Sequence, residues 1–381
     1  MSHHLKLVVC FIAAFCTAAV VAQDAPNAKV PAQTSGSPVA YVYISNASDN
    51  GPYVINGFAA AANGALIPIS GSPFSSPSQL MSMVANGKYL FASDFSDIYS
   101  FSIAADGNLQ QAATMDPKQF GFGVPLSLFL DHTGTTLYNQ SYDSNQYYQY
   151  FGIDKPTGQL NYLGTNSVNG PGYNSALSFI GNNKYGYSAS CYHFIANVFG
   201  FERNSDGTLT YLNQTAPFPV APAGQGYCPY LAAADTGNNL AVSVQAINGY
   251  QAPTGVAHLA VYTADSTGHL STSSTYQNMP LTAVKTIGSL QMSPSGNLLA
   301  VSGSAGLQVF HFNGGNPITH FSGLIIKGEV GQMFWDNANH LYAISADKLY
   351  VFTITPTSLR QAPGSPYAIE SPSALIVLPK T

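Results

Sequence analysis

Charged side chains are scarce in this sequence, where Asp, Glu, Lys and Arg together account for 8% of 381 residues. An average soluble domain is about 25% charged. The net charge is −5 and no basic run occurs, so the sequence lacks the pattern of a nucleic-acid-binding protein. A long amphipathic helix pattern is also missing, which argues against a helical bundle and favours a turn-rich, all-β chain.

Several signatures of catalytic and cofactor chemistry are missing as well. The nine His residues are scattered without paired spacing and no loop is rich in carboxylates, so we expect no metal site and no cofactor. There is no G-x-S-x-G nucleophile motif and no glycine loop before a helix to hold a phosphate. The chain has two Arg, Arg203 and Arg360, and they fall in strands C and D of the repeat described below.

The N-terminus has the features of an export signal. His3, His4 and Lys6 precede an apolar run that ends at Ala22, and this run is too short to be a convincing membrane span. We therefore predict a signal peptide over residues 1–22, cleaved after Ala22, and a secreted or periplasmic protein; the alternative is an uncleaved membrane anchor. Residues 23–39 are rich in Ala, Pro, Ser and Gln and are expected to form a disordered tether. Residues 40–381 then form a single domain.

What the sequence contains in abundance is a repeat of short apolar runs separated by Gly, Asn, Asp, Ser and Pro. Runs of this length, enriched in β-branched and aromatic residues, predict strands, and turns such as NGK, DGT and SGN suit hairpins. Each repeat predicts four antiparallel strands, A to D. Its turn glycines recur about every 50 residues, a spacing typical of propeller blades; they are Gly107, Gly158, Gly207 and Gly268.

The two ends of the chain each hold part of one blade. Residues 41–45 and 54–69 resemble strands B, C and D without a strand A, whereas residues 371–378 resemble a strand A with nothing after it. The simplest solution is that the C-terminal strand pairs into the first blade. This closes a seven-bladed β-propeller and covers two sheet edges.

These repeats resemble the YVTN-type and lactonase-type seven-bladed propellers, a group that includes 6-phosphogluconolactonase-like and muconate-cyclising enzymes. The resemblance rests on YVYISN (41–46), INGFAAAANGALIPISGSPF (55–74) and SLQMSPSGNLLAVSG (289–303), followed by LQVFHF (307–312). It covers residue 41 to the C-terminus and implies a divergent member of the group. Lactonase relatives tend to carry a His-bearing segment at the entry to an inner strand, and the comparable stretch here, residues 227–230, has no His.

Two cysteines remain after signal cleavage, Cys191 and Cys228. By the predicted topology, Cys191 ends strand B of the fourth blade and Cys228 begins strand A of the fifth, on the same face of the ring. We predict a disulfide, worth about 4 kcal/mol on the chain-entropy account; the alternative is two buried thiols.

The topology also sorts side chains between two faces of the ring. The turn face carries the A–B and C–D turns, where we expect Asp side chains to shape the turns by local hydrogen bonds. His132, His269 and His340 are predicted to be solvated on the same face. The turn-face aspartates are Asp106, Asp131, Asp154, Asp206, Asp235, Asp265 and Asp336.

The loop face carries the D–A and B–C connections, and we expect any ligand there. Its polar and aromatic side chains suit stacking on a neutral, sugar-like or aromatic ligand, although Tyr rings also commonly cap a core. Residues 215–226 and 246–257 are its longest loops, both in the fifth blade, and long loops often carry binding. The candidate ligand-binding residues are Asp94, Asp97, Tyr142, Tyr147, Tyr192, Tyr227, Tyr230, Gln245 and Tyr250.

Hydrolysis of a lactone needs a base that activates water and a donor or cation that holds the developing oxyanion. The candidate base is His193, with Glu329 or Asp143 as its partner or substitute, and the candidate cations are Lys285 and Lys327. No spacing ties these residues into one unit. A phosphorylated substrate would also need an Arg clamp on the loop face, which the predicted positions of the two Arg do not supply.

Two functions therefore stay open. The first is an exported scaffold that binds a sugar-like or lactone-like small molecule, or an extracytoplasmic protein, through its loop face without 6-phosphogluconolactonase activity. The second is a hydrolase or cyclase acting on a non-phosphorylated lactone or sugar-derived ring. Whether the protein is an enzyme stays undecided by the sequence. We expect a monomer with no nucleic-acid partner and no membrane span after signal cleavage.

Overall fold

Short strands alternate with tight turns through the residues that the structure describes. The computed structural model describes residues 36–47, 51–121, 124–142, 146–167, 175–192, 195–247 and 255–380. His193, Asp143 and Tyr250 lie outside these ranges, and of Tyr142, Tyr147 and Tyr192 only the backbone is described.

Thirty strands are found in the described residues. The first twelve are β1 (Ala40–Asn46), β2 (Val54–Ala60), β3 (Leu66–Pro68), β4 (Phe74–Ser75), β5 (Ser82–Ala85), β6 (Tyr89–Ser93), β7 (Ile98–Ile103), β8 (Leu109–Met115), β9 (Val124–Leu130), β10 (Thr136–Tyr142), β11 (Gln146–Ile153) and β12 (Leu160–Ser167). A short 3-10 helix, Pro117–Phe120, lies between β8 and β9.

The remaining strands belong to the second half of the chain. They are β13 (Ser178–Phe179), β14 (Tyr185–Tyr192), β15 (Ile195–Arg203), β16 (Leu209–Tyr211), β17 (Gly226–Ala234), β18 (Asn239–Ile247), β19 (His258–Ala264), β20 (Leu270–Ser271), β21 (Ile287–Met292), β22 (Leu298–Gly303), β23 (Gly306–Asn313), β24 (Asn316–Lys327), β25 (Met333–Trp335), β26 (His340–Ser345), β27 (Lys348–Thr355), β28 (Ser358–Gln361), β29 (Tyr367–Ala368) and β30 (Pro372–Pro379).

These strands form seven antiparallel sheets, and the predicted seven-bladed propeller is confirmed. Blades 2 to 7 are the consecutive sets β5–β8, β9–β12, β13–β16, β17–β20, β21–β24 and β25–β28. Blade 1 has the order β3-β2-β1-β30, with Tyr43 opposite Ile376, so the C-terminal strand supplies strand A as predicted. Blades 1 and 7 each gain a two-residue strand, β4 on β2 and β29 on β27, which the sequence did not predict.

The core is divided among the blade interfaces. Seven buried clusters are found in the described residues, one between each pair of neighbouring blades. The cluster that closes the ring packs Val42 and Leu375 of blade 1 with Tyr342 and Leu349 of blade 7. Because each sheet is covered on both faces by its neighbours, strand B is buried along its whole length in blades 1, 2, 6 and 7.

Turns of one blade dock on the preceding blade and fix the spacing between blades. Strand-B tyrosines donate hydrogen bonds to the carbonyls of C–D turn glycines in the next blade, at 2.7–2.8 Å; the pairs are Tyr43 with Gly107, Tyr138 with Gly207 and Tyr187 with Gly268. All three glycines have a positive φ, which non-glycine residues adopt at a cost. The predicted turn glycines therefore also serve as contact points between blades.

Candidate functional site

The inner strands of blades 2 to 7 surround a central cavity of about 640 Å³. Each inner strand begins at the loop face and runs towards the turn face, so Ser175, Gly288 and Gly331 lie near the loop-face opening, where the strands begin. This volume falls within the range of about 300–1,000 Å³ that is typical of small-molecule sites. The channel is therefore the candidate functional site.

The wall of this cavity is polar but uncharged. None of the 25 described residues that line it is Asp, Glu, His, Lys or Arg. Hydroxyl and amide groups alternate with apolar side chains along the innermost strands. The polar lining residues are Ser82, Ser127, Ser175, Ser178, Ser289, Gln140, Gln291 and Gln332.

Some of these polar side chains join neighbouring blades. Ser82 Oγ accepts a hydrogen bond from the backbone N–H of Leu128 (3.0 Å), and Ser178 Oγ accepts one from Ala234 (2.7 Å). Gln332 Oε1 accepts from the N–H of Leu375 at 2.8 Å, which links blade 7 to the closing strand. These bonds join the inner strands of neighbouring blades directly across the cavity wall.

The candidate cations and the described candidate base partner lie outside the cavity. Lys285 and Glu329 are in the D–A connections that precede β21 and β25, and Lys327 ends β24. All three side chains are exposed, and none forms an ion pair with another described residue. His193 and Asp143, the other members of the predicted catalytic group, lie outside the described residues.

The two candidate aspartates of blade 2 form a tight B–C turn. Asp94 Oδ1 accepts hydrogen bonds from the N–H groups of Ser96 (2.6 Å) and Asp97 (2.7 Å), and its Oδ2 accepts from Tyr99 (2.9 Å). Burial alone would raise the pKa of Asp94, but these hydrogen bonds lower it below the usual value. The pKa of Asp97 is raised by burial and by the carboxylates of Asp94 and Asp116. The Asp94 carboxylate is therefore occupied by hydrogen bonds within the turn, whereas Asp97 lies near the carboxylates of Asp94 and Asp116.

The candidate tyrosines of blade 5 differ in exposure. Tyr227 is only 3% exposed and packs edge-on against His258, with 5.7 Å between ring centroids. Burial raises its pKa, and its position favours the core-capping alternative over ligand contact. Tyr230 is half-buried at a β-bulge in strand β17, and Gln245 donates from Nε2 to the Gly255 carbonyl at 3.0 Å.

The predicted disulfide is confirmed. Cys191 and Cys228 are bonded, with 5.3 Å between their Cα atoms. Cys191 lies near the end of β14 and Cys228 near the start of β17, so the bond joins blades 4 and 5 at the loop face. It fixes the entry to strand A of blade 5 beside residues 213–225.

On the turn face, the predicted role of the aspartates is confirmed for all seven, since each accepts a hydrogen bond from a nearby backbone N–H. His132 and His269 are exposed as predicted. The prediction for His340 is wrong, because its side chain is 1% exposed and its Nδ1 lies 2.7 Å from Asp336 Oδ2. Tyr342 donates to the same oxygen at 2.9 Å, so a buried Asp–His–Tyr network anchors blade 7.

Sequence reasoning missed the residues that line the channel. Ser82, Ser178 and Gln332 occupy ordinary polar positions in the inner-strand segments, and only the geometry of the ring shows that they face a cavity. Their placement early in strand A was the one available signal. Among the described residues no cluster of three or more His, Cys, Asp or Glu could hold a metal ion. The described part of the chain also contains no helix long and apolar enough to cross a membrane.

No protein-family model and no curated protein matches the sequence. Solved structures do match: a periplasmic gluconolactonase from Pseudomonas aeruginosa is 14% identical, with a TM-score of 0.66 over 89% of this chain and 99% of that one. A candidate 6-phosphogluconolactonase from Bacteroides uniformis is 14% identical, with a TM-score of 0.69 over 90% and 100%. A second such candidate, from Bacteroides fragilis, is 15% identical, with a TM-score of 0.64 over 91% and 99%. At these identities the likeness establishes the fold.

Proposed function

We propose that the protein is an exported, lactonase-like propeller that binds an uncharged, hydroxyl-rich small molecule through its loop face, in the mouth of the central channel. The observation that carries this proposal is the absence of any ionisable side chain among the 25 described residues that line the cavity. A buried charge without a partner loses its hydration at a large cost in free energy. Hydroxyl groups, which donate and accept, suit the Ser, Gln and backbone groups of the wall.

The positions of the two Arg argue against a phosphorylated ligand. Arg203 forms an ion pair with the buried Asp131 at 2.5 Å on the turn face, and Arg360 lies in the outer strand β28. Neither is near the channel mouth, so the bidentate clamp that a phosphate favours is not provided by either. This supports a role without 6-phosphogluconolactonase activity.

An extracytoplasmic location agrees with the disulfide, because such bonds persist in oxidising compartments. The apolar N-terminal run that ends at Ala22 supports export through a cleaved signal peptide. One similar structure is also that of a periplasmic protein.

The second candidate function is hydrolysis or cyclisation of a non-phosphorylated lactone ring. It is favoured by the similar gluconolactonase structure and by the exposed Lys285, Lys327 and Glu329 on the loop face of blades 6 and 7. A reaction there would need one of the two Lys to hold the oxyanion and Glu329 to activate water.

Two assays on the purified mature chain separate these functions. Thermal unfolding is followed with neutral sugars and polyols, and hydrolysis is followed on a panel of non-phosphorylated lactones. The binding proposal expects a rise in Tm with a neutral sugar and no hydrolysis above background. Hydrolysis that is lost in Glu329→Gln would support the enzyme, and no change in Tm with any neutral compound would contradict the binding proposal.

A further inference from the structure

Exposed apolar side chains are concentrated at one place on the molecule. Nine large apolar side chains are exposed among the described residues, and five of them belong to three segments beside blade 5. These five are between 43% and 60% exposed. We call them the apolar strip: Phe218, Val220, Val256, Tyr276 and Leu281.

Backbone hydrogen bonds hold the three segments side by side. The backbone N–H of Val220 donates to the carbonyl of Ser274 (3.0 Å), and the backbone N–H of Tyr276 donates to the carbonyl of Val220 (2.9 Å). The backbone N–H of Thr282 donates to the carbonyl of Ala257 (2.9 Å), and Leu281 forms an antiparallel β-bridge with His258. The strip is therefore a preorganised surface and not a set of independent loops.

The same segments carry no charge. Residues 213–226, 255–257 and 272–284 contain no Asp, Glu, Lys, Arg or His. Exposed amides of Gln225, Gln277 and Asn278 lie in these segments and supply a polar rim. A charge-depleted centre with aromatic residues and a polar rim is the composition of a protein–protein interface, and contiguous exposed apolar surface marks such sites.

We propose that the apolar strip is a two-fold interface between two copies of this chain. In a two-fold contact the same patch meets itself, so that a charge near the axis faces its own copy. The chain carries a net charge of −5, and acidic surfaces would repel each other in such a contact. The strip avoids this repulsion because its segments hold no charge. A monomer is expected from the sequence, in which the residues of the strip are divided among three separate segments.

The test is the mass of the mature, disulfide-bonded chain in solution, measured by sedimentation and light scattering over a concentration series. The wild type is expected to form a dimer. Val220→Asp and Leu281→Asp each place a like charge at the interface and are expected to raise the dissociation constant tenfold or more. Both side chains are more than half exposed, so each variant is expected to fold as a monomer with the wild-type circular dichroism spectrum.

Ile67→Asp is the matched control, since Ile67 is 40% exposed on β3 of blade 1, outside the strip. It is expected to leave the dimer intact. A wild type that stays monomeric at every concentration overturns the proposal, as does a dimer that persists unchanged in both strip variants. Dissociation in all three variants would show a general effect of charge and would overturn it too.

Discussion

Gly107 shows how a single residue fixes the distance between two blades. Its φ is +88°, and a Cβ there would lie 2.7 Å from a ring carbon of Tyr41 in the preceding blade. A Cβ on Gly158 would likewise lie 2.6 Å from a ring carbon of Tyr89 in the preceding blade. The sequence predicted these glycines as turn residues, but the close approach of the next blade could not be inferred from a turn motif.

Replacement of Gly107 by Ala is therefore expected to cost more than backbone strain alone. The matched control is Gly87→Ala, where φ is +92° but nothing lies within 4 Å of the added Cβ. Strain in the left-handed region costs about 1–2 kcal/mol, which is the loss expected for the control. Gly107→Ala is expected to lose more, because the Tyr41 ring must move. Equal free energies of unfolding in urea for both variants would contradict this account.

The buried Asp336 is a second residue whose role depends on burial. Its carboxylate accepts from the N–H groups of Ala338 and His340 and from the side chains of His340 and Tyr342. Asp336→Ala leaves several buried donors without an acceptor and is expected to cost about 3–5 kcal/mol, as for a broken buried ion pair.

Asp235→Ala provides the comparison for Asp336. Asp235 accepts the same A–B turn bonds in blade 5, from Gly237 and Asn239, but no described His or Tyr side chain donates to it. It is expected to lose clearly less stability in chemical denaturation. Losses of the same size at the two positions would show that only the turn bonds matter.

At the scale of the element, closure of the ring depends on strand β30, which completes blade 1 by pairing with β1. Leu375 and Ala374 are fully buried, and burying each large apolar side chain contributes about 1.5–3 kcal/mol. A chain that ends at residue 371 loses this burial and exposes the edge of β1. Since domains are stable by only about 5–15 kcal/mol, the truncated chain is expected not to fold cooperatively.

A circular permutant separates the strand itself from its position in the chain. Lys380 N–H donates to the carbonyl of Val39 at 2.8 Å, so residues 372–380 can be placed directly before β1 through a tight turn. The permutant is expected to restore the wild-type circular dichroism spectrum and cooperative unfolding. A truncated chain with the wild-type Tm would contradict the role of β30.

Elements with a regular apolar run were predictable, and those without one were not. The pairing of β30 with β1 followed from counting strands at the two ends, which needs no tertiary information. The strands β4 and β29 contain two residues each, too few for any periodicity, and they form because the chain folds back beside strand C. The residues that line the channel could not be predicted for a related reason. Whether Ser178 faces a cavity depends on the number of blades that surround the channel.

At the scale of the whole molecule, buried tyrosines make the folded protein less stable at high pH. Burial raises their pKa well above the usual value in the folded state, for Tyr43, Tyr138, Tyr148, Tyr150, Tyr187, Tyr262 and Tyr342. Above pH ~10 the unfolded chain releases these protons and the folded chain retains them, so stability is present below that pH and is lost as pH rises.

Each such tyrosine is expected to lower the free energy of unfolding by about 1.4 kcal/mol per pH unit above that point. A steep rise in tyrosinate absorbance should therefore coincide with the loss of the native circular dichroism spectrum. Ionisation of all 24 tyrosines while the circular dichroism spectrum stays native would contradict the burial of these hydroxyls.

The central claim is that an uncharged ligand binds in the mouth of the channel, and calorimetric titration with matched sugars tests it most directly. Glucose and galactose are compared with glucuronate and galacturonate, which differ by a carboxylate. Gly331→Trp places a bulky side chain at the mouth, where nothing lies within 4 Å of an added Cβ; Gly323→Trp places the same side chain in open space on the outer strand β24.

A neutral sugar is expected to bind the wild type and Gly323→Trp, and its charged counterpart is expected to bind at least tenfold more weakly. Gly331→Trp is expected to bind neither. Equal or tighter binding of the uronates, or undiminished binding in Gly331→Trp, would contradict the central claim.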